Sequence, residues 1–117
     1  MNIEIFREHC IAKKVVEETF PFDNDTLVFK VMGKMFALIS ISDPTHVNLK
    51  CSPDYAVELR QEFEAVKPGF HMNKANWNTV TFNSDANDKL ILEWLDLSYD
   101  LVVAGLTKKL QKELVEM

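Results

Sequence analysis

A chain of 117 residues with 47% apolar content can bury one hydrophobic core, which excludes wholesale disorder and removes the need for disulfide or metal staples. A net charge of −5 and a pI near 5.1 exclude the uniformly basic surface of a generic nucleic-acid binder. Apolar runs such as Met35–Ile39 and Leu101–Gly105 are too short to cross a bilayer, and Met1–Thr19 lacks a signal-peptide pattern. The expectation is one cytosolic domain over residues 1–117, monomeric and without membrane association.

Asn2 is a suitable N-cap for a first helix, with Ile3, Phe6, Cys10 and Ile11 on one face and a fade near Val16. Phe20-Pro21-Phe22-Asp23 reads as a turn-rich connection, because proline removes a donor and disfavours helix at Phe20. Leu27, Phe29 and Val31 alternate with Val28, Lys30 and Met32 as a strand. Gly33-Lys34 is read as the reversal into a return strand, Met35–Ile41. After the Asp43-Pro44-Thr45 turn, His46–Cys51 places Val47, Leu49 and Cys51 inward and His46, Asn48 and Lys50 outward. Such a meander has one buried and one wet face.

Ser52-Pro53 opens a second helix with an apolar stripe of Tyr55, Ala56, Leu59 and Phe63. Lys67-Pro68-Gly69-Phe70 fits a type II turn with Gly69 at positive φ, and a further short strand could lie near Phe70. Trp77–Phe82 alternates as a strand, with Asn78, Val80 and Phe82 on one face. Ser84 or Asp85 caps the strongest helix, which carries Leu90, Ile91, Trp94, Leu95, Leu101 and Val102 and stops at Gly105. Thr107 caps a short terminal helix. The fold class is α+β: an antiparallel sheet covered by helices on one face, in the approximate order α-β-β-β-α-β-α-α.

Catalytic and metal signatures are absent from the sequence. His9, His46 and His71 have no second ligand at metal-binding spacing, and Cys10 and Cys51 sit among apolar neighbours, as reduced buried thiols do. There is no G-x-S-x-G, and three isolated glycines cannot cradle a phosphate. No cofactor, metal or enzymatic activity is expected.

The charge is unevenly spread. Residues 26–53 and 65–84 carry Lys30, Lys34, Lys50, Lys67 and Lys74 against Asp43 alone, a balance of +4, while the remainder stands at −9. Should those segments share one surface, it would attract anions despite the acidic total. Within them, residues 67–80 contain no acid and combine Lys67 and Lys74 with His71, Asn73, Asn76, Asn78 and Trp77. Lysines suit phosphate contacts, tryptophan suits base stacking and the amides suit hydrogen bonding. Equally, asparagines cap turns and Trp77 can cover a core edge.

Pro68–Val80, reading P-G-F-H-M-N-K-A-N-W-N-T-V, resembles the signature of the MmcQ/YjbR family of small bacterial proteins. Phe20-Pro21-Phe22, residues 27–31, residues 34–38, Leu49-Lys50-Cys51 and residues 98–102 resemble further family segments in the same order. The resemblance implies a YjbR/CyaY-like fold and a DNA-binding role, with two projecting loops likened to wings. It points to Lys34, Lys50, His71, Asn73, Lys74, Trp77 and Asn78 as contacts. The chain departs from the family pattern at Phe70, where tyrosine is frequent, and at Ala75-Asn76, where lysine-histidine is frequent; a hydroxyl and at least one cation are lost.

The expected function is a non-enzymatic binding module, with DNA on a basic sheet and loop face formed by Lys34, Lys50, Lys67, His71, Asn73, Lys74, Trp77 and Asn78. The alternative is a small-molecule or protein ligand on the Phe70–Asn78 segment. A third reading makes His71 a general acid or base oriented by Asn73 or Asn78. A fourth, iron binding by Glu4, Glu8, Glu17 and Glu18, is weakened by the intervening Arg7, Lys13 and Lys14.

Overall fold

A computed structural model describes residues Met1–Met117. The elements run α1 (Ile3–Ile11), β1 (Val16–Thr19), β2 (Thr26–Val31), β3 (Lys34–Ser40), β4 (His46–Lys50), α2 (Pro53–Glu62), β5 (Val66–Pro68), β6 (Trp77–Thr81), α3 (Asp88–Ala104) and α4 (Lys108–Glu116). The six strands form one antiparallel sheet in the order β1-β2-β3-β4-β6-β5. No helix is long and apolar enough to cross a membrane.

The α+β class and the helix-covered sheet are as expected, while two strands complete the order. α1 stops at Ile11 rather than fading near Val16, because Val16–Thr19 pairs with β2 as an edge strand. β5 forms at Val66–Pro68, slightly before Phe70. The β2–β3 reversal is centred on Met32-Gly33, with φ of 50° and 81°, not on Gly33-Lys34. Positive φ at both central residues is what a two-residue turn of right-handed twist requires. α3 is capped by Asn87, whose side chain accepts from the Leu90 N–H, rather than by Ser84 or Asp85. Asp85 instead accepts from the Glu64 and Ala65 N–H groups at 2.8 and 2.9 Å, fixing the entry to β5.

The strand period of two sends Leu27, Phe29, Val31, Val47, Leu49, Val66 and Val80 to the helix side, where they join Phe6, Ile91, Trp94 and Leu95 in the core. The register of β2 and β3 skips Phe36, so Phe36 and Ala37 both reach that core. The bulge also ends the β3–β4 ladder, whose last pair there is Ala37–Leu49. Ser98 of α3, fully buried, fills the gap: it accepts from the Lys50 N–H at 2.9 Å and donates to the Phe36 carbonyl at 2.6 Å. α1 is clasped to α3 by Asp96, which meets His9 at 2.9 Å and Lys13 at 2.5 Å.

Ser98→Ala strands a buried N–H and a buried carbonyl, so the folded state should lose about 2–4 kcal/mol. Urea unfolding measures this, and a loss within error of zero would mean that the serine bridge is dispensable. Acid sensitivity follows from three carboxylates. Hydrogen bonds from Thr26 and Asp25 hold Asp23 below the ordinary range, those from Ser40 and Ser42 do the same for Asp25, and those from Ala65 and Glu64 for Asp85. Groups with lowered folded pKa stabilise fully above the unfolded value, near pH 4, and lose that contribution as pH falls through the lowered values. Melting temperature should therefore drop below about pH 4, and less steeply in Asp85→Asn.

Candidate functional site

The register defines three rows of side chains on the sheet face opposite the helices. One holds Glu17, Lys30 and Met35, then Lys50 and Trp77. The next runs across all six strands as Thr19, Val28, Leu38, Asn48, Thr79 and Lys67. The last holds Thr26 and Ser40, then His46 and Thr81. Rows lie roughly 7 Å apart. This open face is less wet than simple alternation predicts: Val28, Leu38 and Trp77 form a buried apolar belt flanked by Met35 and Met72.

On one side of the belt lies a cleft of about 390 Å³, floored by Thr26, Leu38, Ser40, His46 and Asn48 and rimmed by Phe22, Phe70, His71 and Met72. Phe70 is locked through its backbone. Its N–H donates to Thr79 Oγ1 at 2.9 Å, Thr79 donates to Asn48 Oδ1 at 2.5 Å, and Asn48 Nδ2 donates to the Phe70 carbonyl at 3.3 Å. This closed circuit leaves the Phe70 ring half exposed with its edge against His46, at 5.8 Å. Phe22, 63% exposed, forms the facing rim. On the other side of the belt, Lys34, Met35, Lys50 and Trp77 border a concavity of about 360 Å³ with Val102 and Gly105. The C-terminal end of α3 arrives there, and its partial negative charge favours the two lysines.

The anticipated site residues divide sharply. Lys50 and Lys67 stand on the open face, Lys34 is exposed at its end, and His71 is exposed at the cleft rim. None of the three lysines makes an ion pair. Trp77 is 7% exposed and packs in the apolar belt, so its face is closed to stacking. Asn78 is 2% exposed and points to the helix side, where it accepts from Arg60 Nε at 2.6 Å and donates to the Ala56 carbonyl. It therefore cannot orient His71. Lys74 donates to the Gly69 carbonyl at 2.9 Å, and Asn73 accepts from the Ala75 N–H, so both serve their own loop. Arg60, which also donates to the carbonyls of Lys74 and Trp77, anchors that loop to α2.

Gly69 differs from the expectation as well. It is not at positive φ; the type II turn is replaced by β5, and positive φ falls on His71 at 59°. Glycine is needed at 69 because a Cβ would stand 2.8 Å from Trp77 Cβ and 3.0 Å from its carbonyl oxygen. Phe22, His46, Asn48 and Thr79 were not among the anticipated contacts: only the register brings His46, Asn48 and Thr79 together, and Phe22 joins them from the β1–β2 loop. No three His, Cys, Asp or Glu side chains gather where they could share a metal ion. Burial pushes the Cys10 thiol far up and raises that of Cys51, so neither is a ready thiolate.

A family model described as YjbR matches residues 11–101. This chain belongs to the YjbR family. The YjbR domain is 37% identical over 98 residues to the uncharacterised protein YbdF of Escherichia coli O157:H7, covering 83% of this chain and 80% of that one. Against the uncharacterised protein YjbR of Escherichia coli K12 it is 33% identical over 118 residues, covering 100% of both. The crystal structure of Deinococcus radiodurans DR2400, a DUF419 domain, is similar with a TM-score of 0.89 at 41% identity, covering 97% of this chain and 87% of that one. A Pseudomonas syringae crystal structure is similar with a TM-score of 0.72 at 27% identity, covering 86% and 98%.

In the YjbR domain, Gly69→Ala should force β5 from β6 at Trp77 and cost about 1–3 kcal/mol by overpacking. Thermal unfolding measures it, and an unchanged midpoint would show that the loop yields freely.

Proposed function

We propose that this YjbR domain is a non-enzymatic binding module that takes nucleic acid on its open sheet face. The observation that carries the reading is the placement of Lys50 and Lys67 on the face that the helices do not cover, with Lys34 exposed at its edge beside the end of α3. Carboxylates border this face without interleaving with those lysines. Glu17 lies on the β1 edge, opposite Lys30, while Asp25 and Asp43 lie at the cleft's outer end. An acidic protein with a basic face can steer a polyanion to that face.

The basis differs from the one the sequence suggests. Trp77, Asn73, Asn78 and Lys74 support the surface from within, and contact falls to the sheet lysines. Lys30, Lys50 and Lys67 on the face and Lys34 at its edge make no ion pair, and four lysines limit counterion release, so the log–log salt slope on duplex DNA should be no steeper than about −4. Lys50→Glu and Lys67→Glu should each weaken binding and flatten the slope by about 1. Fluorescence anisotropy across a salt series measures both. No binding at low salt, or binding indifferent to both charge reversals, would remove the nucleic-acid reading.

A further inference from the structure

We propose, resting on that reading, that the cleft between Phe22 and Phe70 seats one unpaired nucleobase, so that single strands bind in preference to duplex. None of the ten lining residues is Asp, Glu, Lys or Arg. Such a lining suits a neutral planar group and not a phosphate, which carries its charge with it. The volume of about 390 Å³ is within the range of small-ligand sites.

The rims supply the stacking surface that Trp77 does not. Phe22 is 63% and Phe70 50% exposed. The Phe70–Thr79–Asn48 circuit fixes the backbone that carries the second ring before any ligand arrives, so only the ring itself is left to order on binding. The next residue, His71, keeps a left-handed backbone, a conformation that costs energy for a non-glycine residue and that collects at binding sites.

Two groups can read a base edge. His46 Nδ1 faces the Thr45 hydroxyl at 3.2 Å, while its Nε2 and the His71 ring have no hydrogen-bond partner. The backbone of the strand has one direction to leave. Lys67 shares the Asn48–Thr79 row and Lys50 stands one row further along β4, whereas Asp25 and Asp43 close the opposite end. A base inside a duplex has its faces and pairing edge occupied, and extruding it costs a few kcal/mol. A base from a single strand enters at no such cost.

The test uses the whole chain and anisotropy with a labelled single strand, its duplex and a competing free nucleoside monophosphate. Phe70→Ala and Phe22→Ala, both at exposed rings, should weaken single-strand binding roughly 5- to 100-fold, with duplex affinity and salt slope unchanged. Circular dichroism and melting verify that both variants fold. Competition by the nucleotide would show that the cleft also takes free nucleotides; its failure, with the phenylalanine effect intact, would assign the base to a strand. Nucleotide binding that depends on Phe70, without any oligonucleotide binding, would keep the base seat and remove the proposed function. Equal affinity for single strand and duplex, untouched by either variant, would overturn the base seat and leave the lysine surface standing. No binding of any of the three probes would overturn both.

Discussion

The Phe36 bulge leaves the Lys50 N–H and the Phe36 carbonyl without strand partners at one end of the β3–β4 ladder, and Ser98 supplies both. Much of the remaining architecture follows from that contact. It fixes α3 across β3 and β4 with Ile91, Leu95 and Val102 against the sheet. With the longest helix committed to that face, the apolar faces of α1 and α2 find their cover there too. The opposite face is left to whatever the alternate strand residues provide.

Those alternate residues divide the open face by chemistry. An apolar belt runs through its middle, so Lys34 and Lys50 lie across Leu38 and Trp77 from the aromatic cleft, while Lys67 ends the Leu38–Asn48–Thr79 row. The belt accounts for the fate of the asparagine-rich loop. Trp77 is taken into the belt, Gly69 has to lie against it, and Arg60, Asn73 and Lys74 satisfy the carbonyls and N–H groups of the loop that results. Residues rich in hydrogen-bonding groups are thus spent on holding a loop, and Phe70 is what that loop presents.

The strands whose alternation is local could be read from the chain: β2, β4 and β6 have the inward and outward sets that their residues announce. β1 could not, because Val16-Glu17-Glu18-Thr19 follows a helical pattern and becomes a strand only by pairing with β2. Pro68-Gly69 has the composition of a turn, but the demand on glycine is tertiary, set by Trp77. Trp77 itself lies among polar neighbours in sequence, and its burial is decided by Val28 and Leu38 on other strands. The lysines of the open face were legible as a charge bias. The sharing of one cleft by Phe22 and Phe70 was not, since no periodicity links a connecting loop to a distant one.

The two outermost strands have a consequence for life in a crowded solution. β1 has only four residues and carries Glu17 and Glu18; β5 has three, carries Lys67 and ends on Pro68, which has no N–H to offer. A neighbouring copy seeking to extend the sheet would find few donors and a fixed charge at either margin. The sheet is sealed against fibrillar growth by brevity and charge, and its broad face can stay open without inviting runaway aggregation.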